Sequence, residues 1–176
     1  IADRLAACGI ELRYKTTVGD DLSDIVAVLK TALRRARVVI LTGGLGPTID
    51  DLTREAVAQA TGHRLSRRKA ALDGMIARLV EWGRTPTTTQ FRQAMIPARA
   101  EILFNPVGTA PGFSLVWKGT FLAALPGVPR EMEPMVRDGV LPQLQAWMRT
   151  QKRLSASPMI RRVLHTSGVP ESIVDQ

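Results

Sequence analysis

The sequence predicts a layered α/β domain with a largely parallel sheet, and three observations support this prediction. Segments with strand character and segments with helix character alternate along the chain, as they do in layered α/β folds. Residues 38–41 form a short, wholly apolar run, which is typical of a strand buried on both faces of a parallel sheet. This run leads directly into a glycine-rich loop, and open α/β sheets bind ligands beyond the carboxyl ends of such strands.

The first part of the chain is expected to hold a helix, a strand and a second helix. Residues 1–8 have the character of a helix end, which Gly9 closes. Residues 11–18 are interpreted as a strand of mixed polarity. Asp21 is a suitable cap for the helix that follows, in which apolar side chains recur with helical spacing as far as Leu33.

Two helices are expected after the apolar strand. Thr53 is a suitable N-cap for the first of them, and Gly62 is a typical stop for it. The second helix is expected to begin after Ser66. Its predicted apolar face consists of Leu72, Met75, Ile76, Leu79 and Val80.

The later part of the chain is expected to contain a strand, a hairpin and a long helix. Residues 101–104 have strand character, and a hairpin is expected with its turn at Lys118 and Gly119. A helix rich in Met and Leu then runs towards Trp147.

Composition excludes several classes of protein. Of the 176 residues 45% are apolar, enough for a sizeable core, and no apolar run approaches the ~18 residues that a membrane span needs. Cys8 is the single cysteine, so no internal disulfide can form, which fits a cytoplasmic protein. The net charge of +8 favours phosphorylated partners, whereas an aromatic content of 5% disfavours a platform for single-stranded nucleic acid. We therefore expect no membrane association and no nucleic-acid partner.

Three glycine-rich loops are the candidates for ligand binding: residues 42–48, 108–112 and 126–129. Small residues let a backbone approach a ligand closely and point its N–H groups at an anion. The first loop is not a P-loop, because no Gly-Lys-Ser/Thr follows it. It is not a dinucleotide fingerprint either, because Ile49 stands where a third glycine or alanine is needed. The first two loops are predicted to line one pocket at the carboxyl end of the sheet. The alternative is that the glycines merely make tight turns.

Asp50 and Asp51 follow the first loop after one residue, Ile49. Two carboxylates beside an anion-binding loop would repel a phosphate, unless a divalent cation lay between them. Glu131, at the start of the helix after the third loop, is a candidate third acid. Two alternatives stay open: an aspartate organises the loop by accepting backbone N–H bonds, and Glu131 merely favours its helix N-terminus. If the acids act in chemistry, Asp51→Asn should slow phosphoanhydride hydrolysis far more than it lowers stability.

Three long segments resemble one known family. Residues 42–53 (TGGLGPTIDDLT), 105–112 (NPVGTAPG) and 125–132 (LPGVPREM) resemble the N-terminal domain of the competence/damage-inducible CinA proteins. That domain is similar to the molybdopterin-binding fold of molybdenum cofactor biosynthesis proteins. The resemblance implies a three-layer α/β sandwich over residues 1–150, followed at 151–176 by a linker and the start of a small connecting domain.

The resemblance also implies a function, namely metal-dependent hydrolysis of the pyrophosphate of ADP-ribose or a related nucleotide. Asp50 and Asp51 would be catalytic, with Asp51 as a ligand of a divalent metal ion. The N–H groups of Gly43, Gly44, Gly46 and Gly108, with the Thr109 hydroxyl, would hold phosphates. The full set of expected ligand-binding residues is Thr42, Gly43, Gly44, Gly46, Thr48, Asn105, Gly108, Thr109, Gly112, Gly127 and Glu131. The alternative is a non-catalytic module that binds molybdopterin or a nucleotide; in either case we expect a homo-oligomer.

This chain departs from the family pattern at its start. The family opens with a strand and a Gly-x-Glu-Leu-Leu-x-Gly loop, and this chain begins inside the helix that follows them. We therefore expect an incomplete domain without its N-terminal strand, in which the apolar strand at 38–41 lacks one of its two neighbours.

Overall fold

The structure is a computed structural model that describes residues 1–151 and Ser167. Most of the expected linker and connecting domain at 151–176 therefore lies outside the described residues. Among the described residues, no helix combines the length and the apolar character that crossing a membrane requires. In chain order the elements are α1 (Ala2–Ala7), α2 (Leu22–Arg35), β1 (Val38–Thr42), α3 (Thr53–Thr61), β2 (Leu65–Arg67), α4 (Lys69–Glu81), a 3₁₀ turn (Gln90–Ala94), β3 (Met95–Pro97), β4 (Glu101–Leu103), β5 (Gly112–Trp117), β6 (Thr120–Leu125), α5 (Pro129–Met135), a π-helical segment (Val136–Val140) and α6 (Leu141–Thr150).

The main sheet has the strand order β1-β6-β5-β4, and β2 pairs with β3 in a separate ribbon. The α/β class is confirmed, but the described main sheet is mixed rather than mostly parallel: β1 pairs parallel with β6, while β5 is antiparallel to both β6 and β4. The predicted hairpin is the physical reason, because a two-residue connection can join only antiparallel strands. Lys118 and Gly119 both have positive φ, at 46° and 79°, as the tight turn of such a hairpin requires.

Helices cover both faces of the main sheet, which confirms the three layers. Side chains of β6 alternate between the two faces. Leu122 and Ala124 pack in the core that includes α2, α3 and α4. Phe121, Ala123 and Leu125 pack in the second core, with α1, α5 and α6.

Strand β1 lies at the edge of the described sheet. Its only described partner is β6, in a register that places Val39 opposite Leu122. Val39 belongs to one core, and Val38 and Ile40 pack against the other, so both faces of the strand are covered as expected. Among the described residues β1 has no second strand neighbour, and the expectation that the missing neighbour is the family's N-terminal strand stays a prediction.

Several predicted helix boundaries are confirmed. Gly9 follows α1 with a φ of 74°, and Gly62 closes α3 with a φ of 73°. Asp21 caps α2, since its carboxylate accepts a 3.0 Å hydrogen bond from the N–H of Asp24. The helix towards Trp147 is confirmed as the succession of α5, the π-helical segment and α6.

Three local predictions are wrong. Residues 11–18 form no strand and are mostly exposed, because a segment of such mixed polarity buries too few apolar side chains to join a sheet. Val80 is 65% exposed, since the buried stripe of α4 is narrow and runs through Ala71, Met75 and Leu79. Thr53 is the first residue of α3 rather than its N-cap, and its side chain bonds to the preceding loop instead.

Candidate functional site

The sheet topology brings the three glycine loops to one edge. Strands β1 and β6 are parallel, and β4 runs in the same direction because it is antiparallel to β5. The loops that follow these three strands therefore start at the same edge of the sheet. The first and third loops touch directly: a Cβ added to Gly127 would lie 3.2 Å from the Cα of Gly43.

The three loops surround one cleft of about 420 Å³, a volume typical of sites for small molecules. Gly44 and Gly108 both line it, which confirms the prediction of a shared pocket. The predicted site residues that line the cleft are Gly43, Gly44, Gly46, Asp51, Gly108, Thr109, Gly127 and Glu131.

Five predicted residues do not line the cleft: Thr42, Thr48, Asp50, Asn105 and Gly112. Thr48 and Asn105 stabilise the first and second loops through hydrogen bonds that are described below. Asp50 is exposed. Gly112 has a packing role, because a Cβ there would press against the carbonyl oxygen of Ala124.

Asp51 organises the first loop. Its Oδ1 accepts a hydrogen bond from Gly46 N–H at 2.8 Å, and its Oδ2 accepts from both the N–H and the hydroxyl of Thr48, at 2.8 and 2.6 Å. Burial acts to raise the pKa of Asp51, but the bonds from Thr48 and Gly46, together with the Arg54 charge, outweigh it and lower the pKa. The structure thus supports the loop-organising alternative for this residue.

The carbonyl groups of residues 43–46 are all bonded to the first two residues of α3. The hydroxyl of Thr53 donates to the carbonyl of Gly43 at 2.8 Å, and its N–H donates to the carbonyl of Gly44 at 3.1 Å. The guanidinium of Arg54 donates to the carbonyls of Leu45 and Gly46, at 2.7 and 2.6 Å. Arg54 is 0% exposed. Sequence reasoning missed this arginine, because nothing in its local sequence separates it from the many exposed arginines of the chain.

Asn105 organises the second loop and connects it to α5. Its Oδ1 accepts hydrogen bonds from the N–H groups of Val107 and Gly108, at 3.0 and 2.7 Å. Its Nδ2 donates to the carbonyl of Ala110 at 3.0 Å and to Oε2 of Glu131 at 2.6 Å. Glu131 is therefore held against the second loop, with Oε1 free of hydrogen bonds to other described residues.

Three of the four N–H groups expected to hold phosphates are already in use. Gly43 N–H donates to the last carbonyl of β6 at 2.9 Å, Gly46 N–H to Asp51, and Gly108 N–H to Asn105. Within the described part of the chain, however, six other N–H groups of cleft-lining residues donate to no acceptor. They form one consecutive pair in each loop: Gly44 and Leu45, Thr109 and Ala110, Gly127 and Val128.

Gly108→Ala tests the fit between the second loop and α5. An added methyl group would overlap the Glu131 carboxylate, which would have to move away from Asn105. We expect a loss of about 1 kcal/mol in the free energy of unfolding and a larger effect on the cleft, with ligand affinity lowered on the order of tenfold. Urea unfolding and titration calorimetry measure the two effects.

Gly19→Ala is the matched control for Gly108→Ala, because nothing lies within 4 Å of the added methyl group there. It should leave ligand affinity unchanged. A Gly108→Ala variant that binds ligand like wild type would show that the position of Glu131 does not matter for the cleft.

The carboxylates fit a divalent ion only in part. Among residues 1–151 no group of three or more His, Cys, Asp or Glu side chains could hold a metal ion. Mg²⁺ often takes one or two carboxylates and completes its shell with substrate phosphates and water. Glu131 Oε1 accepts no bond and Asp51 Oδ1 accepts one, so these are the atoms with capacity for such a shared ion.

Two further cleft residues were not foreseen from the sequence. Trp82 follows α4, and Gln93 lies in the 3₁₀ turn before β3. Neither stands in a glycine motif, so no local pattern marks them. The other lining residues belong to the three predicted loops, although they were not in the set of expected ligand-binding residues: Leu45, Pro47, Ala110, Pro126 and Val128.

Comparisons with known proteins agree with this architecture. The family model described as "Probable molybdopterin binding domain" matches residues 1–146. A CinA-like protein of Desulfosudis oleivorans is 40% identical over 176 residues, which are 100% of this chain and 42% of that protein. The chain thus spans about two fifths of the length of such curated relatives.

Two solved structures show the same fold. The crystal structure of CinA from Thermoplasma acidophilum is 35% identical and superposes with a TM-score of 0.71, covering 77% of this chain and 80% of that one. The molybdopterin biosynthesis enzyme MoaB of Thermus thermophilus is 22% identical with a TM-score of 0.54, covering 86% of this chain and 81% of that one. The second likeness concerns the fold alone.

Proposed function

This chain is a CinA-like member of the probable molybdopterin binding domain family, and we propose that its three-loop cleft binds the phosphates of a nucleotide-like or pterin-like ligand. The supporting observation is the set of six unused N–H groups, one consecutive pair in each loop. Consecutive backbone N–H groups without internal acceptors form concave sites for anions. A diphosphate offers enough oxygens to serve several of these pairs.

The first loop is preorganised for this role. The carbonyl groups of residues 43–46 are bonded to α3, so that none of these oxygens is left to repel an anion. The N–H groups of Gly44 and Leu45 remain available. Because the loop is already held by Thr53, Arg54 and Asp51, binding would cost little ordering entropy.

The activity that we propose for this cleft is hydrolysis of the pyrophosphate of ADP-ribose or a related nucleotide. Asp51 and Glu131 line the cleft beside the phosphate-binding loops, and their charge favours a divalent cation shared with the phosphates. Such an ion would neutralise phosphate charge and polarise the P–O bond. Glu131, whose Oε1 accepts no hydrogen bond from a described residue, would orient water and accept its proton. Asp50, which is exposed, has no comparable position.

The second candidate is a non-catalytic molybdopterin- or nucleotide-binding module. One observation favours it: Asp51, the residue expected to act in chemistry, uses its oxygens to accept three hydrogen bonds within its own loop. A carboxylate that already accepts three hydrogen bonds is a poor metal ligand. Of the two carboxylates that line the cleft, Glu131 is then the stronger candidate for a metal ligand. Under this proposal the cleft holds its ligand without converting it.

Both proposals can be tested by measuring how the full-length protein binds and hydrolyses ADP-ribose. We expect calorimetric binding in the presence of EDTA, and release of AMP and ribose 5-phosphate when Mg²⁺ or Mn²⁺ is added. Binding without release under any divalent ion supports the module. Absence of binding under all conditions contradicts phosphate recognition by the cleft. Light scattering on the same sample tests the expected homo-oligomer.

A further inference from the structure

Gln93 has a polar atom with no partner inside the protein. The residue is 1% exposed and lines the cleft, yet its Oε1 is buried and accepts no hydrogen bond from any described residue. A buried amide oxygen without a partner costs free energy, and native proteins rarely leave one unpaired. Because Gln93 lines the cleft, a ligand bound there can supply the missing donor.

Gln93 is also held in place. It lies in the 3₁₀ turn Gln90–Ala94, whose residue Arg92 donates a 2.9 Å hydrogen bond to the carbonyl of Thr48 in the first loop. The same guanidinium donates to the carboxylate of Glu55 in α3 at 3.1 Å. The turn that carries Gln93 is thus fastened to the first loop, which fixes the backbone position of Gln93 relative to that loop.

Trp82 presents a large aromatic surface to the same cleft. It follows the last residue of α4 and is 45% exposed. The guanidinium carbon of Arg84 lies 5.6 Å from the centroid of its ring, a cation–π contact that restrains the indole. Half-exposed aromatic rings inside a cleft are typical of ligand sites, and indole stacks on any planar heterocycle.

We propose that Trp82 and Gln93 form the ring-binding wall of this cleft, and thereby its specificity determinant. Trp82 stacks on a planar nitrogen heterocycle, such as a nucleobase or a pterin, and the Gln93 amide bonds to the edge of that ring. This inference rests on the proposed function, in which the loops hold the phosphates of the same ligand.

The chemistry of the two contacts is complementary. Backbone N–H groups recognise phosphate without regard to the group attached to it, so the three loops alone cannot select a substrate. A glutamine amide offers an acceptor beside a donor, which matches the adjacent donor and acceptor on the edge of an adenine-type ring. Stacking supplies affinity for any flat ring, and the amide adds discrimination between rings.

Gln93→Met in the full-length protein is the first test, because methionine keeps the shape of the side chain and removes the amide. We expect ADP-ribose and AMP to bind at least tenfold more weakly, while ribose 5-phosphate, which lacks the ring, binds as to wild type. The melting temperature should stay equal or rise, because the variant no longer buries an unpaired oxygen. A merely structural glutamine would instead lower the melting temperature and affect all three ligands alike.

Trp82→Ala should weaken binding of ADP-ribose and AMP to a similar extent, and Trp82→Phe, which keeps a flat ring, should largely restore it. Wild-type indole fluorescence should be quenched by AMP, and Trp82→Phe should abolish that change. Tyr14→Ala is the matched control, since Tyr14 is about equally exposed but lies outside the cleft.

The outcomes separate this inference from the proposed function. If wild type binds ADP-ribose no more tightly than ribose 5-phosphate, or if both cleft variants keep wild-type selectivity, the ring-binding wall is wrong even though the phosphate site stands. If ADP-ribose binds with the expected ring preference but is never hydrolysed, the wall stands and the hydrolase proposal is wrong. If wild type binds none of the three ligands, both are overturned.

Discussion

Asp51→Asn is expected to lower the free energy of unfolding by about 1–3 kcal/mol and to abolish tight ligand binding. Asp51 accepts one hydrogen bond at Oδ1 and two at Oδ2, and asparagine has only one oxygen. Either Gly46 or Thr48 then faces an amide that cannot accept. Because the first loop owes its shape to these bonds, loss of stability and loss of binding should appear together. Urea unfolding and calorimetry measure the two effects on one sample.

The effect of Asp51→Asn should also depend on pH. The pKa of Asp51 is lowered in the folded protein, so its carboxylate stabilises the fold above the unfolded pKa of about 3.9. This contribution disappears as the pH falls through the lower folded pKa. The stability difference between wild type and Asp51→Asn should therefore be constant from pH 7 to about pH 5 and shrink at lower pH.

Asp50→Asn is a close control for Asp51→Asn, since Asp50 is exposed and is its neighbour in the chain. It should change stability by no more than about 0.5 kcal/mol. An Asp51→Asn variant with wild-type unfolding but at least ~100-fold slower hydrolysis would contradict the loop-organising role. That result would restore the catalytic assignment that the sequence motif suggests.

The sequence predicted where the backbone loops lie better than it predicted what their atoms bond to. The apolar strand β1, the turn at Lys118 and Gly119 and the glycine loops are local patterns, and each was recognisable. The use of an individual N–H group is not local. Gly43, Gly46 and Gly108 looked like phosphate donors, yet each donates within the protein, to an acceptor that only the folded chain brings near.

The ring-binding wall shows that a sequence can also fail to reveal residues that line the cleft. Trp82 and Gln93 are separated from each other in the sequence, and both lie outside the glycine loops. A lone exposed tryptophan after a helix and a glutamine in a short turn carry no sequence signature. What marks them is a half-exposed ring and an unpaired oxygen at one cleft, and both are properties of the tertiary structure.

Arg54→Met should have the largest effect on stability of the changes considered, about 3–5 kcal/mol. Arg54 is completely buried and donates charge-assisted hydrogen bonds to the carbonyls of Leu45 and Gly46, each worth about 1.5–3 kcal/mol. Methionine fills most of the space but leaves both carbonyls without a donor. It also removes the positive charge that helps to lower the pKa of Asp51. Such a loss is a large part of a typical domain stability of ~5–15 kcal/mol.

One further variant separates the planar guanidinium of Arg54 from its charge, and a second serves as a control. Arg54→Lys keeps the charge, but a single ammonium cannot reproduce the planar fork that reaches two successive carbonyls, so we expect an intermediate loss. Arg64→Met, at an exposed arginine whose side chain makes no hydrogen bond to a described residue, should change stability by less than about 0.5 kcal/mol. If Arg54→Met cost no more than Arg64→Met in urea unfolding, the first loop would hold its shape without this arginine. The cleft would then owe its preorganisation to Asp51 and Thr53 alone.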